Sequence, residues 1–309
     1  MSKPKEYEIQ QGKVEPAWMI PSLADQGFFA KDTVRATLYT PADFREEQEG
    51  ISRFNPAVES PQFDRNRTHF REAIKAVMKH FFTEHKLPTE NGLDFGCGAT
   101  GTMVHCFLDR IVNRNTWTEA DVNPSSVASN RSLHPDSKIY TASYHDVSAL
   151  GLSGNMDIVT GLSTLDATQF IPHAIGQIRE ALRSGGYLFH VQDVRPGRGA
   201  GIRELKAMGQ IMPYECFTAR NSNTEQDFMA FRTPGGIISS GELFRRQMGR
   251  AFKEDGGYEV LVNDWVRSGK PVPGKVSRIY YQNIDMQYMS GKPKATHEAY
   301  VIVSLARKK

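Results

Sequence analysis

The sequence has few cysteines, no long apolar run and little net charge. Its 309 residues include three cysteines, Cys97, Cys106 and Cys216, which form no CxxC pair and are too few for a disulfide framework. We therefore expect reduced thiols and a cytoplasmic location. There is no signal-peptide pattern and no run of about 18 apolar residues, so we expect no membrane partner.

Two further absences narrow the class of protein. Lys and Arg number 38 against 35 Asp and Glu, a formal net charge of +3 that is too balanced to indicate nucleic-acid binding by charge alone, so we expect no nucleic-acid partner. No His, Asp or Cys spacing typical of a metal site stands out, so we predict no metal. The chain is 39% hydrophobic and 24% charged, a composition that can bury a sizeable core.

A glycine-rich turn that follows a short apolar strand is the most informative stretch of the chain. Residues 92–101 read GLDFGCGATG, and a second strand ends on Asp121. Gly96 and Gly98 lack a Cβ, so the backbone can turn sharply there and approach a ligand. Gly101 allows close packing at the start of the next helix, and Asp121 can accept hydrogen bonds from two ribose hydroxyls. Many nucleotide-binding enzymes share this glycine pattern.

Asp94 separates two interpretations of the turn. It precedes the first glycine by two residues, where a carboxylate repels a pyrophosphate but attracts an ammonium or a sulfonium. The pattern DxGxGxxG (94–101), with Asp121 after it, resembles the class I S-adenosylmethionine-dependent methyltransferases. The segment LRSGG (182–186) before an apolar strand adds to this resemblance. The alternative is a generic nucleotide-binding turn with a buried, hydrogen-bonded Asp94.

The resemblance covers residues 68–193 closely and 239–309 loosely, and it implies a fold. We expect an α/β, Rossmann-like three-layer sandwich with a mostly parallel seven-stranded sheet whose last strand is antiparallel. Residues 68–309 would form the methyltransferase domain. Residues 1–67 would form an N-terminal cap or lid, and residues 194–238 a lid insertion after the fifth strand.

Periodicity and capping residues predict the individual elements. Helices are expected at 68–86, 102–114, 124–133 (capped by Asn123), 170–182 and 202–212, and a capping box at Ser239 and Glu242 starts another. Strands are expected at 92–95, 117–121, 138–143, 156–162, 187–191, 256–262 and 299–306. The interval 278–289 fits either a strand or a helix. The rest of the insertion, within 194–238, is expected to be irregular.

The resemblance also implies the cofactor, S-adenosyl-L-methionine, with S-adenosyl-L-homocysteine as its product. In the family, an acid after the third strand commonly contacts the adenine amino group, and Asp146 is the matching residue. The cofactor-binding residues that we predict are Asp94, Gly96, Cys97, Gly98, Gly101, Asp121, Val122, Asp146, Val147 and Ser163.

Catalytic residues are harder to identify from the sequence. Asp193 and Asp166 follow the fifth and fourth strands, where ligands of open parallel sheets bind, and are the predicted catalytic residues. Asp193 could equally cap the following loop, and Asp166 could cap the following helix. His190 is expected to be a satisfied core histidine and His145 a solvent-facing loop residue.

The acceptor is predicted to be a small molecule that is methylated at O or N. This prediction rests on the aromatic-rich segment 1–67 and on the insertion, which together could close over a pocket. The alternatives are a methyltransferase for RNA or protein, and a protein that binds the cofactor without transferring its methyl group. A homo-oligomer is left open.

Overall fold

The computed structural model describes residues 8–11, 68–165, 171–193, 215–220, 227–233, 236–269 and 298–309. Within these ranges the helices are α1 (Thr68–Glu84), α2 (Pro124–Leu133), α3 (Ile171–Ala181) and α4 (Ser240–Asp255). Three short turns of helix accompany them, namely a π-helix (Thr102–Phe107) and two 3-10 helices (Arg114–Thr116 and Val147–Leu150). The strands are β1 (Glu8–Gln11), β2 (Gly92–Phe95), β3 (Thr118–Asp121), β4 (Lys138–Thr141), β5 (Met156–Leu162), β6 (Leu182–Asp193), β7 (Glu215–Arg220), β8 (Asp227–Thr233), β9 (Gly236–Ser239), β10 (Tyr258–Gly269) and β11 (Glu298–Lys308).

The main sheet has eight strands in the order β1-β10-β11-β6-β5-β2-β3-β4. The strands from β6 to β4 pair in parallel, whereas β11 is antiparallel to both β6 and β10. The seven strands from β10 to β4 confirm the predicted Rossmann-like sheet with its antiparallel last strand. The order in which successive strands are added to the sheet reverses at β2, since β3 lies on one side of it and β5 on the other. The carboxyl ends of these strands form the ligand edge of such a sheet.

Two apolar clusters, one on each face of the sheet, make the fold a three-layer sandwich. Side chains of α3 and α4 pack on one face, with Leu93 and Phe95 of β2 among their partners. Side chains of α1 and the π-helix pack on the other face, where Phe81 and Phe189 are fully buried. Burying one such aromatic contributes roughly 1.5–3 kcal/mol. No helix among the described residues is long and apolar enough to cross a bilayer.

Several predicted elements need correction. The helix predicted over 102–114 is only the π-helix, because Arg110 has a φ of +64° and the Asn113 amide donates to Thr89 O. Val104, His105 and Phe107 also have low helix propensity. Strands β6 and β10 are longer than predicted, since β6 starts at Leu182 and includes a register shift, and β10 extends to Gly269.

The insertion and the N-terminal segment contain strands that the sequence did not predict. β7, β8 and β9 form a second, antiparallel sheet, of which β8 and β9 contact α4. β1 adds to the free edge of β10 from Glu8↔Gly269 to Gln11↔Val266. The helix predicted at 202–212, the undecided interval 278–289 and most of residues 1–67 lie outside the described residues.

Candidate cofactor site

The glycine turn after β2 leaves open space in front of its backbone. Gly96, Gly98 and Gly101 have φ angles of +71°, +67° and +58°, a region that side chains other than glycine rarely adopt. A Cβ built on Gly98 would meet no atom of the described residues within 4 Å. A Cβ on Gly96 would instead collide with Thr164, the second residue after β5. The turn is thus open at Gly98 and closely packed at Gly96.

The first amides of the turn are used inside the protein. The Gly96 and Cys97 amides both donate to Ala120 O, at 2.8 and 3.1 Å. The Gly98 amide donates to Asp121 Oδ2 at 2.9 Å. These three amides therefore fix the turn to β3.

Asp121 joins the glycine turn to the start of α2. Its second oxygen, Oδ1, accepts a hydrogen bond from the Asn123 amide at 2.8 Å. Burial raises the pKa of Asp121, and the two amide bonds oppose that rise. Each carboxylate oxygen can accept about two hydrogen bonds. Asp121 therefore retains acceptor capacity at the ligand edge, as the prediction of a ribose contact requires.

Asp94 is a buried carboxylate in the middle of the sheet. It lies opposite Thr160 of β5 on one side and Glu119 of β3 on the other. Its Oδ1 accepts a hydrogen bond from Thr160 Oγ1 at 2.9 Å, while Oδ2 has no hydrogen-bond partner among the described residues. Burial, and then the charge of Glu119, hold the pKa of Asp94 well above its ordinary value. An unsatisfied buried carboxylate is costly, and a nearby cation would stabilise its ionised form.

A polar network that sequence reasoning missed lies under the glycine turn. Glu119 is 1% exposed, and its Oε1 lies 2.8 Å from His105 Nε2 of the π-helix. Its Oε2 accepts from Asn130 of α2 at 3.2 Å. His105 also stacks on His134, with ring centroids 3.5 Å apart. The space that a Cβ on Gly101 would fill is occupied by His105 and Glu119. An acid at an inward position of the short strand β3 was the signal that could have revealed this network.

The remaining predicted cofactor residues occupy different environments. Cys97 is buried, its Sγ accepts from Asn130 at 3.4 Å, and burial raises the pKa of its thiol. Val122 is partly exposed directly after β3, and Val147 is fully buried at the start of a 3-10 helix. Asp146 is exposed and accepts from Ser148 Oγ at 2.7 Å. Ser163 follows β5 with a φ of +50°.

The structure brings some predicted site residues together directly. The glycine turn contacts Asp121 and the loop after β5 that contains Ser163. The loop after β4 is linked to the same place, because the Ala142 amide donates to Asp121 O at 3.0 Å. That loop carries Asp146. Whether these residues bind a cofactor stays a prediction.

The predicted catalytic residues are less well defined. Asp193 is the last residue of β6, at the same edge of the sheet as Ser163, and only its backbone is described. Asp166 lies outside the described residues.

His145 is 7% exposed and its Nδ1 lies 3.1 Å from His173 Nδ1, so the prediction of a solvent-facing residue is wrong. Among the described residues no group of three or more His, Cys, Asp or Glu could hold a metal ion.

Comparison with known proteins finds similarity only among solved structures. No family model and no curated protein matches the chain. An S-adenosylmethionine-dependent methyltransferase from Leishmania major is 12% identical, with 88% of this chain and 87% of that chain covered and a TM-score of 0.47. The 1,6-didemethyltoxoflavin N1-methyltransferase of Burkholderia thailandensis is 14% identical, with 89% and 93% covered and a TM-score of 0.45. A cyclase is 16% identical, with 79% and 84% covered and a TM-score of 0.43.

The chain's own strand order and glycine turn define its class, a Rossmann-like α/β protein with the fold of the class I methyltransferases.

Proposed function

We propose that this chain is an S-adenosylmethionine-dependent methyltransferase that acts on O or N of a small-molecule acceptor. The observation that carries the proposal is the buried Asp94 carboxylate beside the glycine turn, with Oδ2 unpartnered among the described residues. Glu119 and Asp121 add negative charge nearby, and both contribute to the raised pKa of Asp94.

This charge distribution favours a cationic ligand over a dinucleotide. The negative charge of a pyrophosphate at the turn would be repelled by the Asp94 carboxylate, which would weaken its binding. An ammonium or sulfonium group would instead stabilise the ionised form of Asp94. The open space at Gly98 gives the backbone room for close approach of such a ligand.

The residues present fit the cofactor as follows. Asp94 would hold its cationic amino acid portion, Asp121 its ribose hydroxyls and Asp146 its adenine amino group. Bound there, S-adenosylmethionine would supply an activated methyl group. Ser163, directly after β5, would contact the cofactor, and Asp193, at the carboxyl end of β6, would face the acceptor and orient it. Residues 1–67 and the insertion would cover the site and exclude water.

Calorimetry tests the cofactor first. S-adenosylhomocysteine should bind the wild-type protein, and NAD should not. The Asp94→Asn variant keeps the size of the side chain and removes its charge, so it should bind S-adenosylmethionine more weakly. Binding of NAD in place of S-adenosylhomocysteine would overturn the proposal.

Methyl-labelled cofactor then tests the acceptor. The protein is incubated with labelled S-adenosylmethionine and cell extract, and the products are separated by size. Label in the small-molecule fraction is expected. Label in protein or RNA would contradict the acceptor class, and cofactor binding without any transfer would indicate a non-methylating protein.

A further inference from the structure

The loop after β5 is held from inside the sheet by His190. This residue lies in β6 and is 1% exposed. Its Nε2 is 3.5 Å from the Thr164 amide nitrogen and 3.4 Å from the Leu165 amide nitrogen. It is also 3.3 Å from Thr164 Oγ1. Three groups of one loop thus converge on a single ring nitrogen.

The two amides fix the state of the imidazole. An N–H can only donate, so Nε2 must be the unprotonated, accepting nitrogen and the ring proton is on Nδ1. Burial lowers the pKa of His190 to about 3, so the ring is neutral under ordinary conditions. Nδ1 is buried without a hydrogen-bond partner among the described residues. A buried ring that accepts through Nε2 is not placed to take a proton from an acceptor.

The loop that His190 holds is packed against the glycine turn. The space that a Cβ on Gly96 would fill is occupied by Thr164 Cγ2, at 2.0 Å from the Cβ position. On the other side, a Cβ on Gly161 would lie 2.7 Å from Thr164 Oγ1 and 3.1 Å from His190 Cδ2. Two glycines therefore make room for Thr164, whose hydroxyl and methyl face different neighbours.

The same loop contains an unfavourable backbone conformation. Ser163 has a φ of +50°, which is uncommon for residues other than glycine and costs of order 1 kcal/mol or more. Its amide donates to Val191 O at 2.9 Å, next to His190 in β6. Such a conformation persists only where surrounding contacts hold it. Contacts from β6 supply that constraint here.

We propose that His190 is a positioning residue of the cofactor site. Its neutral imidazole fixes the loop of Ser163, Thr164 and Leu165, and through Thr164 it sets the position of the Gly96 turn. The inference rests on the proposed function and deepens it, because it names a residue that sets cofactor affinity without touching the cofactor. A purely structural role in the core, for example through the ring contact with Phe244 at 5.2 Å, would change stability alone.

The test compares two substitutions of His190 by calorimetry with S-adenosylhomocysteine. His190→Leu removes the acceptor, so the loop loses its anchor and affinity should fall at least about tenfold, equal to ~1.4 kcal/mol. His190→Gln offers an acceptor oxygen near the position of Nε2 and should stay within about threefold of wild type. Folding of each variant is followed by circular dichroism and thermal unfolding.

A matched control separates affinity from stability. Phe189→Leu changes the adjacent residue of β6, which packs on Phe81 and Phe82 on the opposite face. It should lower the melting temperature and leave the affinity for S-adenosylhomocysteine unchanged. If His190→Leu binds as tightly as wild type, or if Phe189→Leu loses as much affinity as His190→Leu, the proposal is overturned.

Two further measurements keep the test decisive. Should His190→Leu not fold, His190→Asn keeps a polar side chain that is too short to place an acceptor at the position of Nε2; unchanged affinity in that variant would overturn the proposal. The affinity ratio of wild type to His190→Leu should also be constant from about pH 6 to 9, because the ring is neutral throughout. A wild-type protein that binds no S-adenosylhomocysteine would instead refute the proposed function itself.

Discussion

Asp94 and Asp121 differ in how much of their hydrogen-bonding capacity the protein itself uses. Asp121 accepts from two amides, whereas Asp94 accepts from one hydroxyl and leaves Oδ2 without a partner among the described residues. Asp121 is therefore both a support of the glycine turn and a candidate ligand. Asp94 is a buried carboxyl group whose ionised form a cationic ligand would stabilise.

Replacement of Asp121 by Ala should weaken binding of S-adenosylhomocysteine without unfolding the protein. Two hydrogen bonds to the ribose would be lost, a loss of roughly 2–4 kcal/mol if each is charge-assisted. Loss of the bond to the Gly98 amide should add a small decrease in stability. Calorimetry measures the affinity, and Glu90→Ala, an exposed carboxylate just before β2, is the control. Unchanged affinity would remove Asp121 from the site.

Replacement of Gly98 by Ala tests the open space in front of the turn. Gly98 and Gly154 have similar φ angles, +67° and +71°, and a Cβ on either meets no described atom within 4 Å. Both Ala variants should therefore lose a similar stability, of order 1 kcal/mol. Only Gly98→Ala should weaken binding of S-adenosylhomocysteine, because its methyl group points into space kept for a ligand. Equal affinities in the two variants would contradict this placement.

At the level of elements, the sequence predicted those helix and strand boundaries that depend on neighbouring residues. Asn123 caps α2 through bonds to the Ser125 and Ser126 amides, with Pro124 as the first helical residue, as the sequence indicated. Strand β5 has the predicted bounds because its apolar run is buried. By contrast, β1 has the sequence EIQQ and forms only because β10 offers a free edge. No local pattern encodes such a partner.

The candidate cofactor site was likewise predictable only where its residues form a local sequence pattern. The glycines and the aspartates of the turn carry a recognisable pattern, and the structure brings Gly98 and Asp121 together. The pairing of Glu119 with His105 depends on a contact across 14 residues, and the anchor from His190 to Thr164 on one across 26. Contacts of this kind follow from the sheet register, which the sequence pattern does not specify.

The link between Glu119 and His105 should be a main support of the π-helix. Replacing Glu119 by Leu leaves His105 and Asn130 without their buried acceptor, and each buried donor left unsatisfied costs roughly 1–3 kcal/mol. Chemical denaturation should show that loss in the free energy of unfolding. The exposed pair of Arg250 and Glu254 on α4 is the control, since Glu254→Gln should change stability by only about 0.3–0.5 kcal/mol. Equal losses in both variants would contradict a supporting role.

At the level of the whole molecule, the buried carboxylates predict how stability depends on pH. The folded protein binds more protons than the unfolded chain between the ordinary pKa of Asp94 and its raised value. The contribution of Asp94 to the free energy of unfolding should therefore fall as pH rises through this window. A cationic ligand favours the ionised form, so affinity for S-adenosylmethionine should rise over the same window.

Melting curves of the ligand-free protein at several pH values test this dependence. The Asp94→Asn variant cannot titrate at this position, so its melting temperature should fall less steeply with pH than that of wild type. Asp121, whose pKa is also raised, should account for part of the remaining slope. Identical slopes in wild type and Asp94→Asn would show that Asp94 is ionised in the free protein.

The N-terminal segment can be tested by two deletions that separate its edge strand from its aromatic part. Deleting residues 1–11 removes β1 and leaves the seven strands from β10 to β4 intact, so a modest loss of stability is expected, with methyl transfer retained.

Deleting residues 1–40 also removes Trp18, Phe28, Phe29 and Tyr39, which we propose cover the acceptor. Because the glycine turn, Asp94 and Asp121 all lie in 68–165, this longer deletion should keep affinity for S-adenosylhomocysteine within a few-fold. Transfer of labelled methyl to the small-molecule fraction should be abolished, since the site would no longer exclude water or bind the acceptor. Normal transfer by the longer deletion would show that residues 1–40 only pack against the core.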